Sequence, residues 1–286
     1  MALGRILAGS VRLLLAGALT SAAVAQGLDR SCADSAVPFN LVSNFEIVVD
    51  GQLGDLSGLK FILDTGSSSS AIDRRVADRM GLRRRPGTVF NFDRNLAIEW
   101  ADVPEVRIGP VRVGSIAMMV TRLADLSAIA GNADGIIGMD VLSRARKLCI
   151  DYERRRISFR MDEGRAGAPR TNSALVIPVM VQGISMRVLV DTGFEYFLLY
   201  KDRVHGALPH LHTEGEPRDA ILGRLQAVQV ELPGVEIAGA QRVTPVLLID
   251  GPGNAALSGV DGYLGPAALH ARRVEFDFAG RTVRWQ

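Results

Sequence analysis

Phe61-Ile62-Leu63-Asp64-Thr65-Gly66 is a short apolar run that ends in an acid and a turn, and the chain repeats it as Val188-Leu189-Val190-Asp191-Thr192-Gly193. The two aspartates stand 127 residues apart in a chain of 286. Asp134-Gly135-Ile136-Ile137-Gly138 recurs at the same spacing as Asp261-Gly262-Tyr263-Leu264-Gly265. A third pair follows at nearly the same offset. Ile150-Asp151-Tyr152 with Ile157-Ser158-Phe159 is echoed by Phe276-Asp277-Phe278 with Val283-Arg284-Trp285. A single Asp-Thr-Gly reads as an ordinary turn, with Asp and Gly serving backbone geometry. Two copies in register, each followed by Gly-apolar-apolar-Gly at a matched distance, indicate a duplicated unit.

Outward from these motifs the pattern is mostly β. Residues 41–49 and 59–63 read as strands around the turn-rich Asp50-Gly51-Gln52-Leu53-Gly54, and 176–181 with 186–190 form the shorter counterpart. Further β runs, broken by Gly and Pro, occupy 103–120 and 228–249. Short helices are expected over 73–80, stopped at Gly81, over 141–147 and over 267–272, the last opened by Pro266. Arg144, Arg146 and Lys147 would then sit at the favourable end of the helix dipole. The polar, Gly- and Pro-containing stretch 162–172 reads as a linker between an N-terminal lobe at 37–161 and a C-terminal lobe at 173–286. The expected fold class is all-β and bilobal, two pseudo-symmetric lobes with short helices.

Residues 1–25 do not read as part of that fold. Arg5 and Arg12 precede the apolar Leu13 to Leu19, and Ala23-Val24-Ala25 is the small-residue pattern of a signal-peptide cleavage site. The apolar part falls well short of the roughly 20 residues that span a bilayer. The mature chain is therefore expected to be exported, periplasmic or secreted, without stable membrane insertion; a retained anchor is the alternative. The 33 Lys and Arg face 31 Asp and Glu, and losing Arg5 and Arg12 with the leader balances the two. Nothing in that balance points to nucleic acid, and Arg83-Arg84-Arg85 and Arg154-Arg155-Arg156 read as solvated turns. Cys32 and Cys149 could form one disulfide in an oxidising compartment, or Cys149 could be a buried small residue.

Each Asp of the repeat ends an apolar strand, where the chain leaves a buried sheet for a tight turn. Gly66 and Gly193 would permit unusual backbone angles and close approach there, and the hydroxyls of Thr65 and Thr192 could bond the opposite loop. Two carboxyls within hydrogen-bond reach cannot both ionise, so they share one proton. Such a pair can activate water with its ionised member and donate to a carbonyl with its protonated one. The two Asp-Thr-Gly loops, with Ile136-Ile137-Gly138 and Tyr263-Leu264-Gly265 downstream, resemble the aspartic peptidase clan. Among its members, exported bacterial retropepsin-like proteases are the nearer comparison by lobe size.

The resemblance implies a dyad of Asp64 and Asp191 at the bottom of an interlobe cleft. It also implies the downstream motifs on strands beside the catalytic loops, flap hairpins closing over a peptide or protein substrate, and a monomer needing neither metal nor cofactor. Ser67 suits the family pattern after Asp-Thr-Gly, whereas Phe194 does not. The hydroxyl beside Asp64 and the aromatic ring near Asp191 predict Asp64 as the preferred anion and Asp191 as the proton carrier. The flap regions would fall at 89–100 and 220–230, neither of them rich in glycine. Those departures motivate a second reading, a non-catalytic peptidase-like module for peptide binding or assembly. His205, His210 and His212 with Glu214 and Glu216 match no compact zinc spacing. Ser67 to Ser70 lack the Gly-x-Ser-x-Gly elbow of a serine hydrolase.

Overall fold

Apolar residues at both odd and even positions mark strands buried on two faces, and the segment before Asp64 is one of them: Leu59, Phe61, Ile62 and Leu63 are all buried. The computed structural model describes residues 36–91, 94–126, 132–162, 174–207, 216–220, 225–250 and 259–286. The expected leader and, apart from Asp162, the expected linker lie outside the described residues.

In the first lobe β1 (Val37–Val42), β2 (Glu46–Leu53) and β3 (Leu56–Leu63) form an antiparallel meander. The expected single strand at 41–49 is divided by a turn in which Ser43 and Asn44 take left-handed backbone angles, φ 49° and 68°. After β4 (Ala71–Asp73) comes α1 (Arg74–Arg79), capped by Asp73, whose carboxylate accepts from the Arg75 amide. A long hairpin, β5 (Arg84–Asn91) and β6 (Arg94–Ile108), leads to β7 (Val111–Thr121), α2 (Leu123–Leu126), β8 (Gly135–Ile137) and α3 (Met139–Leu142). The lobe closes with the hairpin β9 (Lys147–Asp151) and β10 (Arg156–Arg160).

The second lobe repeats the plan in fewer residues. It contains β11 (Val176–Val181), β12 (Ile184–Val190), β13 (Phe197–Tyr200), α4 (Lys201–Ala207) and the hairpin β14 (Glu216–Ala220) and β15 (Leu225–Ile237). Then follow β16 (Ala240–Ile249), β17 (Gly262–Leu264) and the closing hairpin β18 (Arg273–Asp277) and β19 (Thr282–Trp285). The strand order β11-β12-β17-β13-β16-β15-β14 parallels β2-β3-β8-β4-β7-β6-β5 of the first lobe. The fold is all-β and bilobal.

The closing hairpins join the lobes. β18 pairs antiparallel with β9, setting Asp277 opposite Lys147 and Phe276 opposite Leu148, so one sheet runs from β19 through β9 into the first lobe. Leu148, Ile150, Val274 and Phe276 there belong to a core continuous across both lobes. This junction explains one departure from expectation. The helix expected over 141–147 is only Met139–Leu142, because Lys147 is drawn into β9. Its ammonium lies 2.9 Å from Glu275 and 3.5 Å from Asp277, and its backbone pairs with Arg160 of β10 and Asp277 of β18. The segment 267–272 holds consecutive turns rather than a helix, with Ala268, Leu269 and His270 donating to Gly265, Pro266 and Ala267. Cys149 is disulfide-bonded; Cys32 lies outside the described residues.

Candidate active site

Both Asp-Thr-Gly loops are hung from their lobes in the same way. β3 runs parallel to β8, with Leu63 opposite Ile137, and the Asp64 amide donates to Ile137 O at 3.0 Å. β12 runs parallel to β17, with Val190 opposite Leu264, and the Asp191 amide donates to Leu264 O at 3.0 Å. Ile136 and Tyr263 occupy the middle positions of β8 and β17. The glycines that follow brace the loops from behind. Gly138 donates to Ser70 Oγ at 3.0 Å, and Gly265 donates to Tyr196 O at 2.9 Å. The Asp heading each downstream motif ties it to the start of the same unit. Asp134 accepts from the Lys60 amide at 2.9 Å, and Asp261 accepts from the Arg187 amide at 2.8 Å.

The loops then grip each other. Thr65 N donates to Thr192 Oγ1 and Thr192 N to Thr65 Oγ1, both at 3.0 Å. Each hydroxyl in turn donates across the interface, Thr65 Oγ1 to Val190 O at 2.9 Å and Thr192 Oγ1 to Leu63 O at 2.7 Å. Both threonines are buried. Every polar atom of the exchange is therefore satisfied without water, and each bond contributes roughly 0.5–1.5 kcal/mol net.

Gly66 and Gly193 sit where the lobes touch. Neither has a left-handed φ, so the expected need for unusual backbone angles does not arise. The requirement is space. A methyl group on Gly66 would press into the carboxylate of Asp191, overlapping Oδ2 and Cγ and standing 2.7 Å from Oδ1. A methyl group on Gly193 would stand 2.9–3.1 Å from the Asp64 carboxylate. Each glycine makes room for the acid of the other lobe.

Asp64 Oδ1 accepts from the Gly66 and Ser67 amides, both at 2.9 Å, and Asp191 Oδ1 accepts from the Gly193 amide at 2.8 Å. The two carboxyls are hydrogen-bonded to each other. Burial raises the pKa of both. For Asp64 the bonds from Asp191, Ser67 and Gly66 oppose the rise. Asp191 is held well above the usual carboxylate range, first by burial and then by the charge of Asp64. The two amide donors on Asp64 Oδ1, against one from the Gly193 amide on Asp191 Oδ1, favour the negative charge on Asp64.

The cause of that asymmetry differs from expectation. Ser67 Oγ turns away and donates to Ser69 O at 2.8 Å, so backbone amides stabilise Asp64 and the serine hydroxyl does not. Phe194 packs into an apolar cluster with Leu189, Leu198 and Tyr263, edge-on to Tyr196.

Two carboxyls near the site escaped the sequence reading. Asp140 accepts from the Ser70 amide at 2.9 Å and its hydroxyl at 2.5 Å, bracing the loop behind Asp64. Glu46 is 4% exposed, and burial together with the charge of Asp64 pushes it up to about 7. Its signal was legible: an acid heading the apolar strand Ile47-Val48-Val49. The expected flap regions fall on the β5–β6 and β14–β15 hairpins, whose tips at 92–93 and 221–224 lie outside the described residues. His205 lies in α4 and Glu216 begins β14; His210, His212 and Glu214 lie outside the described residues.

A family model described as aspartyl protease matches residues 49–141, which include β3, the Asp64 loop and β8. That bears out the resemblance to the aspartic peptidases read from the motifs. A solved structure, a retropepsin-like aspartic protease from Rickettsia conorii, is similar at 19% identity and a TM-score of 0.33, covering 44% of this chain and 89% of that one. No curated protein matches the chain.

Proposed function

We propose that this chain, peptidase-like in family and fold, is an aspartic endopeptidase that hydrolyses peptide bonds through Asp64 and Asp191. The observation that carries the reading is the hydrogen-bonded carboxyl pair where the two loops meet, Asp191 buried and Asp64 half-buried, each accepting from a backbone amide of its own loop. A water between them gives its proton to ionised Asp64 as its oxygen attacks the peptide carbonyl carbon. Asp191 simultaneously gives its proton to the carbonyl oxygen, forming a neutral gem-diol. Return of a gem-diol proton to Asp191, with transfer of the Asp64 proton to the amide nitrogen, breaks the C–N bond and restores the single shared proton. The threonine grip keeps the carboxyls from reorganising as charge moves, which is where fixed geometry contributes most. The leader at 1–25 supports an exported enzyme, periplasmic or secreted, acting as a monomer on peptide or protein substrates.

The test compares the mature chain with Asp64→Asn and Asp191→Asn on a diverse peptide pool. Each variant should lose about 10²- to 10⁴-fold in cleavage rate. Cleavage at the unsubstituted rate by either variant refutes the mechanism. A chain that cleaves nothing between about pH 3 and 8 yet binds peptides would be the non-catalytic module instead.

A further inference from the structure

We propose that Glu46 is a third member of the Asp64–Asp191 proton-sharing centre, a positioning residue that acts on the reaction through Asp64. Its effect on catalysis rests on the endopeptidase reading; its coupling to the dyad does not.

The placement follows from strand register. Val49 pairs with Phe61 and Val48 with Ile62 across β2 and β3. Continued two residues past the last pair, the same register brings Glu46 level with Asp64, just beyond the end of β3. Directly opposed residues in an antiparallel pair project to the same side, with Cβ atoms roughly 4.5–5.5 Å apart. Ile47 and Val49 are fully buried on the core side, so Glu46 and Val48 share the other side with Ile62, two residues before Asp64. Glu46 is itself more than nine-tenths buried, and among the described residues its Oε2 has no hydrogen-bond partner.

The surroundings leave Asp64 as the group that acts on it. From β1 the opposed residue is Val42, and the cluster on this face is Ile62, Leu123 and Ala133 with Val48 and Ile136. None of these titrates. Asp64, just past the end of β3, is the charged group that acts on Glu46, and Asp64 in turn is bonded to Asp191 of the second lobe. Among the described residues the second lobe has no counterpart. Val176 pairs with Leu189, and two steps on, Ala174 stands opposite Asp191. The third carboxyl therefore lies on the anion side alone.

Coupling between two ionisable sites is reciprocal. The charge of Asp64 helps to keep Glu46 protonated up to about pH 7. Below that, Glu46 is neutral and leaves the dyad alone. Above it, ionised Glu46 adds a like charge beside Asp64, so the last dyad proton, on Asp191, is released only at higher pH. Glu46 thereby extends the alkaline range in which Asp191 can still act as an acid.

The experiment is a carboxyl ¹³C NMR titration of the mature chain, Glu46→Gln and Asp64→Asn, with pH profiles of kcat/KM for the first two. The resonance missing in Glu46→Gln identifies Glu46. Its midpoint should fall by at least about one unit in Asp64→Asn, the scale set by like charges at this separation. In Glu46→Gln, the upper dyad transition and the alkaline limb should both move down by roughly one unit, with the acid limb in place. An unmoved Glu46 midpoint in Asp64→Asn overturns the proposal. So does a Glu46→Gln variant that is merely less stable, with both transitions unchanged. If the unsubstituted chain cleaves no peptide, the endopeptidase reading fails, and the NMR shift alone decides whether Glu46 belongs to the centre.

Discussion

Replacing Gly66 by Ala should be costly only while Asp191 is present. The backbone at Gly66 lies outside the left-handed region, so alanine meets no conformational penalty there. In another setting the change would even stabilise by about 0.4–1 kcal/mol, through the lower entropy of the unfolded chain. Here the new methyl meets three Asp191 side-chain atoms first, the farthest of them at 2.7 Å. Ordinary contact begins near 3.4 Å, so the carboxylate must retreat by roughly 1 Å. Such a shift breaks its 2.8 Å bond from the Gly193 amide and its bond to Asp64. Overpacking contributes about 1–3 kcal/mol, and a lost hydrogen bond to a charged group about 1.5 more. Gly66→Ala should therefore lose about 3 kcal/mol of stability together with the proposed peptidase activity. In an Asp191→Ala background the same change should cost no more than about 0.5 kcal/mol. Urea unfolding of the four proteins of the cycle measures both penalties, provided the m-value stays constant. Equal penalties in the two backgrounds would refute the close-approach argument and return the requirement to local backbone geometry.

Ser67→Ala should leave the acid limb of the pH–rate profile within about 0.2 units, because the hydroxyl bonds Ser69 O rather than Asp64. A shift of half a unit or more would mean that the hydroxyl reaches the dyad. Lys147→Met strips the buried Glu275 of its ammonium partner at 2.9 Å and should cost about 3 kcal/mol in denaturant unfolding. Adding Glu275→Gln should restore most of that loss, and failure to do so would argue against an ion-pair origin.

The duplicated all-β plan was legible in the sequence because strands, turns and the repeat itself are carried by near neighbours. An apolar triplet ending in Asp-Thr-Gly needs little context to mark where a strand leaves a sheet, and two copies in register imply two lobes. The identity of the acid pair followed from that spacing. Local patterning was less reliable where a distant partner competes, as at Lys147, which pairs with β10 and β18 in a strand, and at 267–272, which forms turns.

The sequence by itself thus determined which two aspartates meet and what frame carries them. Only the tertiary structure decided how they differ. Protonation depends on burial and on groups far apart in the chain: the backbone amides aimed at Asp64, the charge of Asp64 against Asp191, and Glu46 across the β2–β3 pair. The glycines likewise look like turn residues in one dimension. In three, they are the gaps through which each lobe admits the carboxylate of the other.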